Sequence, residues 1–195
     1  MVTLQKGLPT ELISSAANLF LNAFGSKFYP ILGHGEKTKE LIESSINAAS
    51  CIYAFEDGEL LGILAIQEKN KSFVDISFNN IKSRYGLVKG IIKAVLLSLF
   101  IYKPDDNEIH IECVAVANSA QGKGIGTRLL NELFLQAATE SIQKVTLEVI
   151  STNTKAKSLY ERLGFRIEKT SNIWPLNKIV GWSFDKIFNM SKSIG

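Results

Sequence analysis

The sequence has few cysteines, and their placement excludes two kinds of small protein. Only Cys51 and Cys113 are present, and both lie inside apolar runs that are typical of strands. A free cysteine in such a run behaves as a small hydrophobe, and the two show neither framework spacing nor a CxxC pair. We therefore expect neither a disulfide scaffold nor a metal site.

The sequence also lacks a large excess of charge of either sign. The formal net charge is +3, and the lysines and arginines are spread along the chain without the long basic run typical of nucleic-acid binding. Nucleic acid is therefore not an expected partner. Hydrophobic residues make up 46% of the 195 residues, which is enough for a real core. This length suits one domain better than two, so we expect a single domain over residues 1–195.

Long hydrophobic runs are limited to one stretch, residues 86–102. It contains Lys89 and Lys93 and is shorter than the ~20 apolar residues that a spanning helix needs, so no membrane span is expected. Residues 1–25 lack the charged and apolar segments of a signal peptide, which predicts a cytoplasmic location. The wider region 81–102 predicts one long apolar helix packed on the core. A lid over a substrate site and a homodimer surface are the alternatives for that helix.

Hydrophobic periodicity predicts helices and strands along the whole chain. In the first half, Pro9 and Thr10 open a helix that Gly25 ends, and Asp57-Gly58 is a turn pair that joins two strands into a hairpin. The predicted helices cover 10–24, 38–47, 81–102, 125–139 and 153–163, with a loop over 28–36. The predicted strands cover 2–4, 51–55, 60–66, 73–78, 109–116, 144–149, 165–169 and 182–190.

The order of these elements predicts the fold class. The second half alternates strand and helix, which implies a parallel pair of strands joined by a right-handed crossover. The early hairpin implies antiparallel pairing, so the sheet must be mixed. We therefore expect one α/β (α+β) domain with a central, mixed, twisted β-sheet flanked by helices on both faces.

The most informative segment is a glycine-rich turn, Gln121-Gly122-Lys123-Gly124-Ile125-Gly126-Thr127, between a predicted strand and a predicted helix. The first N–H groups of a helix lack partners and carry partial positive charge, so a phosphate binds there readily. Glycines in the turn let a pyrophosphate approach without clashes from Cβ atoms.

Three alternatives for this turn differ in how well they fit. A Walker A loop is excluded because Lys123 precedes the second glycine. A dinucleotide fingerprint needs GxGxxG where the chain has GxGxG, although Glu148 lies about where its ribose-binding acid would be. A glycine turn without a ligand is the third.

Two motifs in this order suggest a family. Residues 114–116 (VAV) and the QGKGIG that follows resemble motif A of the GNAT N-acetyltransferase superfamily, (Q/R)xxGxG/A, which Gln121, Gly124 and Gly126 match. Downstream, Asn153, Ala156, Tyr160 and Gly164-Phe165 resemble its motif B. The resemblance covers about residues 109–170. It implies transfer of an acetyl group from acetyl-CoA to a primary amine by direct attack in a ternary complex.

The resemblance also implies where acetyl-CoA binds. Its pyrophosphate would lie on the main-chain amides of residues 121–127, and its pantetheine arm would pair with the strand that ends at Val116. The residues implied to contact it are Val114, Ala115, Val116, Gln121, Gly122, Lys123, Gly124, Ile125, Gly126, Thr127, Asn153, Ala156 and Tyr160. Asn153 is equally suited to capping the helix that follows it.

Catalytic roles are assigned by the same resemblance. Tyr160 would protonate the departing thiolate, and Glu112 would take the proton of the amine, directly or through water. His110 is two residues from Glu112 on one strand, so both face the same side and His110 is the alternative base. The alternatives are non-catalytic: Tyr160 would be a packed core aromatic, and Glu112 would be a hydrogen-bonded polar residue that lines the cleft.

The acceptor site is expected to include Phe28, Tyr29, His110 and Glu112. The acceptor would be a small-molecule or peptide amine, which the sequence does not identify. The rival function is a non-catalytic acyl-CoA-binding sensor, and a dinucleotide-binding enzyme is the more distant one.

Overall fold

A computed structural model describes residues 1–69 and 71–194 as a mixed α/β domain. The strands are β1 Thr3–Lys6, β2 Cys51–Glu56, β3 Glu59–Glu68, β4 Glu108–Val116, β5 Lys144–Ile150, β6 Arg166–Asn172 and β7 Lys186–Ser193. The helices are α1 Ile13–Leu32, α2 Glu36–Glu43, α3 Phe78–Tyr85, α4 Leu87–Ser98, α5 Ile125–Thr139, α6 Thr154–Arg162 and α7 Leu176–Val180.

The seven strands form one sheet in the order β1-β2-β3-β4-β5-β7-β6. Strands β4 and β5 are parallel, and the neighbours on either side pair antiparallel, so the predicted mixed sheet is confirmed. The β4–β5 pairing runs only from Glu108 opposite Lys144 to Ile111 opposite Leu147. Both strands continue beyond that point, so the sheet opens into a gap between them.

Strand β4 carries a β-bulge at Glu112. Ala65 of β3 pairs with Cys113 and the next residue, Ile66, pairs with Ile111, so Glu112 has no partner on β3. The extra residue reverses the alternation of the side chains that follow it. Accordingly, Ile111 belongs to the core on the α5 side of the sheet, and Cys113 belongs to the core on the α1 side.

Helices cover both faces of the sheet, as expected. One core lies under α5 and α6 and includes the fully buried Leu129, Leu130 and Leu133 of α5. The other lies under α1 and α2. A third cluster, around Trp182 and Phe184, joins the end of α1 to the segment before β7.

The end predicted for the first helix is wrong. Helix α1 continues through Gly25 and Pro30 to Leu32, so Phe28 and Tyr29 are helical rather than in a loop. A Cβ at position 25 would lie 2.2 Å from the Tyr29 ring, so glycine here makes room for an aromatic ring one turn later. Pro30 falls in the last turn and removes a single helix hydrogen bond.

The predictions for residues 73–102 are also wrong. Residues 73–78 contribute one isolated bridge, Ile46 with Val74, instead of a strand, and the region after them forms two helices. Ser77 caps α3 by accepting from the N–H of Asn80 at 3.2 Å. Gly86 has φ +78, a conformation that favours glycine, and this separates α3 from α4.

Other predicted boundaries differ less. Helix α5 is confirmed at both ends, 125 and 139. The predicted helix 38–47 corresponds to α2, Glu36–Glu43, which begins two residues earlier and ends four residues earlier than predicted. The closing strand begins at Lys186 instead of residue 182, because Trp182 and Phe184 are packed into the core before it. Helix α7 has no counterpart in the prediction.

One side of α4 packs on the domain and the other is exposed. Lys93 donates to the main-chain oxygen of Ile31 in the last turn of α1. The opposite side shows an apolar stripe in which Val88 is 72% exposed and Val95 61%. Among the described residues, no helix combines the length and apolarity needed to cross a bilayer. The homodimer predicted through this region stays a prediction.

The fold predicts unequal effects for two leucines of one helix. Leu129 of α5 is fully buried and Leu135 is 66% exposed. Leu129→Ala should lower the free energy of unfolding by about 2–5 kcal/mol, because it leaves a cavity in the core. Leu135→Ala, the matched control, should change it by less than about 0.5 kcal/mol. Urea unfolding measures both, and equal losses would contradict the placement of α5.

Candidate active site

The carboxylate of Glu112 is held by the segment that follows β3. The Ser72 hydroxyl donates to its Oε1, and the N–H of Phe73 donates to its Oε2 at 2.6 Å. Burial, with a smaller contribution from the charge of Asp75, raises the pKa of Glu112 to about 7, although hydrogen bonds to the carboxylate oppose the shift. A carboxylate of this kind exchanges a proton near neutral pH.

Glu112 lines a cavity of about 500 Å³ between the sheet, α1 and the α3–α4 segment. The wall opposite the sheet is mostly apolar and includes Phe20, Phe24 and Phe28 of α1. The residues that immediately follow α4, Phe100 and Ile101 among them, also line it. The cavity is large enough for a small organic molecule.

His110 lies in the same cavity but is engaged by its neighbours. Its Nδ1 is 2.9 Å from Oγ1 of Thr146, and its ring stacks on Tyr102 with the centroids 3.9 Å apart. Both Tyr102 and Thr146 donate to Oε1 of Glu108, Tyr102 at 2.6 Å. Burial, aided by the nearby Lys27 charge, lowers the pKa of His110 to about 3. The imidazole is therefore neutral at pH 7 and a weak base.

A second, smaller cavity of about 60 Å³ occupies the gap between β4 and β5. Three residues line both cavities: Phe24, Lys27 and Glu148. The Lys27 ammonium group lies 5.3 Å from the centroid of the Phe100 ring, and burial lowers the pKa of this lysine. The two cavities therefore meet at one junction beside a buried lysine and a carboxylate.

The glycine-rich turn leads into α5 with its main chain open. Gly122 and Gly124 both have φ +78, and a Cβ at either would meet nothing within 4 Å. Gly124 is the N-cap of α5, and no side chain caps the N–H groups of the first turn. These N–H groups are available to an anion, as the sequence predicts.

The main chain of β4 is also open toward the gap. Ala117 donates to the main-chain oxygen of Leu61 on β3 at 2.8 Å. Bonded pairs alternate along an antiparallel ladder, so the N–H and C=O of Val114 and Val116 point away from β3, into the gap. An extended ligand has unpaired main-chain groups to bind there.

The α6 side of the gap carries the motif B residues. Asn153, Ala156 and Tyr160 all line the smaller cavity. Asn153 caps α6, since its Oδ1 accepts from the N–H of Ala156 at 3.2 Å. Tyr160 also packs in the core, with its ring 5.7 Å from that of Phe165, and burial raises its pKa. Tyr160 therefore both packs in the core and lines the gap between β4 and β5.

The structure separates the two aromatic residues expected at the acceptor site. Phe28 lines the larger cavity, where its ring contacts those of Phe20 and Phe100. Tyr29 lies elsewhere and stacks on His34 with the centroids 4.1 Å apart. The reason is the continuation of α1, which turns successive side chains about 100° apart.

The sequence model of the acetyltransferase (GNAT) family matches residues 18–165. This chain belongs to the GNAT acetyltransferase family. The GNAT chain is 29% identical over 113 residues to the [ribosomal protein bS18]-alanine N-acetyltransferase of Haemophilus influenzae, over 55% of this chain and 77% of that protein. The resemblance inferred from the two motifs is confirmed, and the dinucleotide-binding alternative loses its support.

Solved structures share the GNAT fold. The ribosomal-protein-S18-alanine N-acetyltransferase of Escherichia coli has a TM-score of 0.62 at 17% identity, over 100% of this chain and 95% of that chain. The polyamine N-acetyltransferase of Drosophila melanogaster has a TM-score of 0.62 at 12% identity, over 99% and 100% of the two chains. At these identities the likeness shows the fold alone.

Sequence reasoning missed several residues of the candidate site. Lys27 was overlooked because the helix was ended at Gly25, although the spacing of Phe20, Phe24 and Lys27 is helical. Ser72 gave no signal, because it contacts Glu112 only after β3 and β4 pair. Glu148 was noted for a different role, since its place at the junction of the cavities depends on the separation of β4 from β5.

The environment of Glu112 predicts a pH-dependent stability. Its pKa is about 7 in the folded protein and about 4.5 without perturbation, so the folded state holds the proton more tightly. The free energy of unfolding should therefore fall as pH rises from about 4.5 to about 7, by on the order of 2–3 kcal/mol from this group. Glu112→Gln should remove that loss, so its stability relative to wild type should rise between pH 4.5 and pH 8.

Urea unfolding at the two pH values measures this difference. Glu59→Gln, at an exposed carboxylate at the start of β3, controls for the loss of one negative charge. A constant difference between Glu112→Gln and wild type across this range would show that burial does not raise the Glu112 pKa.

Proposed function

We propose that this protein transfers an acetyl group from acetyl-CoA to a primary amine by direct attack within a ternary complex. The observation that carries the proposal is the meeting of two cavities, one between β4 and β5 and one beside Glu112. A thioester in the first would face an amine in the second at the junction near Lys27 and Glu148. The alanine N-acetyltransferase activity named for the Haemophilus influenzae relative supports an amine acceptor.

Main-chain groups at the start of α5 and along β4 are available to bind CoA. The uncapped first turn of α5 offers N–H groups and partial positive charge to a pyrophosphate, and Gly122 and Gly124 leave space for it. The outward-facing main chain of Val114 and Val116 offers hydrogen bonds to a pantetheine arm. Acetyl-CoA would supply the activated acetyl group, and the N–H of Val114 could donate to its thioester oxygen.

Glu112 is the better of the two candidate bases. An amine acceptor arrives as an ammonium ion with a pKa near 10, so a residue must accept its proton before attack. Glu112, with a pKa of about 7, is matched to that task, whereas His110 has a pKa of about 3. The hydrogen bonds from Ser72 and Phe73 occupy part of the roughly four lone-pair sites of the Glu112 carboxylate, so it can still accept a proton.

Tyr160 is the proposed acid for the leaving thiolate. It lines the gap between β4 and β5 beside Asn153 and Ala156, on the wall opposite Val114. Burial raises the pKa of Tyr160, so it stays protonated and able to donate at neutral pH. A thiolate is a stable leaving group, so a weak acid is sufficient.

The glycine-rich turn can be tested by binding alone. Gly124→Val should weaken CoA binding by about 10-fold or more, because the side chain would occupy the space proposed for the pyrophosphate. The control is Gly58→Val, which has the same left-handed strain in the β2–β3 turn, where a Cβ also meets nothing within 4 Å. Isothermal titration measures both, and an equal effect of the two variants would remove the turn from CoA binding.

Turnover tests the roles of Glu112 and Tyr160. Release of free CoA thiol is followed with a panel of primary amines. Glu112→Gln should lower turnover by on the order of 10²–10⁴-fold. Wild-type activity should fall as the pH drops below about 7, and this pH dependence should be absent in Glu112→Gln.

Tyr160→Phe should lower turnover by about 10–100-fold with little change in acetyl-CoA affinity. Wild-type protein that binds CoA tightly but releases no thiol with any amine would instead be an acyl-CoA sensor.

A further inference from the structure

The larger cavity is divided into an apolar part and two charged parts. Its apolar wall is built by Phe20, Phe24 and Phe28 of α1, by Leu97 of α4, and by Phe100 and Ile101 just after α4. Neighbouring rings in this wall are in contact, with Phe28 and Phe100 6.2 Å apart between centroids. The wall is thus a continuous aromatic and aliphatic surface contributed by two helices.

Apart from the buried Lys27, the acidic and basic residues of the cavity fall into two groups according to exposure. Lys69, Asp75 and Lys103 are exposed, so they lie on its solvent side. Glu112 and Glu148 are less exposed and lie on the strands, beside the gap where the thioester is proposed to bind. Between these two groups, the described lining is mostly apolar.

We infer that the acceptor is a primary monoamine carrying a compact apolar body of about the size of an aromatic ring. This inference rests on the proposed acetyl transfer and specifies its substrate class. The ammonium group would bind at Glu112 and Glu148, and the apolar body would lie against Phe28, Phe100 and Leu97. A body of that size suits a cavity of about 500 Å³, which is within the usual range for small organic ligands.

The inner carboxylates suit a single positive charge. An ammonium that leaves water needs an ionic or hydrogen-bonding partner, which Glu112 and Glu148 provide near the gap. The ammonium is therefore drawn to the place where the base is available to deprotonate it.

The same wall disfavours two other acceptor classes. A polyamine would place its second ammonium against phenylalanine rings, and a buried charge without an ionic partner is costly. A peptide would bring main-chain N–H and C=O groups against side chains that cannot bond to them. Apolar contact with a ring-sized body instead gains about 25 cal/mol per Å² of surface removed from water.

The first test compares three acceptors at matched concentrations: 2-phenylethylamine, spermidine and a short peptide with an N-terminal alanine. Thiol release is followed, and the acetylated product is identified by mass spectrometry. The value of kcat/KM should be about 10-fold or more higher for 2-phenylethylamine than for either other amine. Preference for spermidine or the peptide would overturn the inferred class and leave acetyl transfer intact.

The second test reduces the cavity from its apolar side. Ala94 of α4 lines the cavity, whereas its neighbour Val95 is 61% exposed on the outer side. Ala94→Leu should raise KM for 2-phenylethylamine by about 10-fold and change KM for ethylamine much less, because only the larger body reaches the added side chain. Val95→Leu is the matched control and should change neither. An equal rise for both amines in Ala94→Leu would contradict the proposed position of the body.

Binding keeps this inference separate from catalysis. If wild-type protein releases no thiol with any amine, acetyl transfer fails, and calorimetry of the CoA complex decides the cavity's preference. Binding of 2-phenylethylamine that weakens in Ala94→Leu and persists in Val95→Leu would still support an apolar amine ligand. Tighter binding of spermidine than of 2-phenylethylamine would overturn it.

Discussion

The separation of β4 from β5 is the feature on which the rest of the site depends. Two parallel strands that pair over only the first residues of β5 leave main-chain groups without partners, which would be costly if they were buried with no ligand. The bulge at Glu112 stands just beyond the last pair, at Ile111. Because of the bulge, Glu112 has no partner on β3, and the side chains after it change sides of the sheet. The main-chain groups of Val114 then point into the opening. The proposed cosubstrate binding and acid–base chemistry would therefore share one local departure from regular sheet geometry.

In the same region, burial disfavours the charged forms of several ionisable side chains. Glu112, His110, Lys27 and Tyr160 all have pKa values displaced toward the neutral form, and burial is the first cause in each. A sheet core made of aliphatic residues would avoid this cost. Displaced pKa values gathered around two adjoining cavities are typical of a catalytic centre. Here they provide a carboxylate that can accept a proton and a phenol that retains one at neutral pH.

Two helices from distant parts of the chain complete the acceptor side. Helix α1 supplies three phenylalanines and Lys27, and the end of α4 supplies the facing apolar wall. Lys93 links the two helices through the main-chain oxygen of Ile31. Any change in how α4 packs on α1 would therefore alter the cavity without touching the gap where acetyl-CoA is proposed to bind. This arrangement would separate the choice of acceptor from the proposed cosubstrate binding.

The sequence by itself determined the mixed α/β fold, the helix at 125–139 and the glycine-rich turn. These are set by local patterns: the apolar period of a helix, and glycines before its first turn. Tertiary structure alone decided the position of Lys27 and the contact of Ser72 with Glu112. Gly25 reads locally as a helix end, but Tyr29 packs over it and the helix continues. The pKa values of Glu112 and His110 likewise depend on burial by distant segments, which no spacing along the chain encodes.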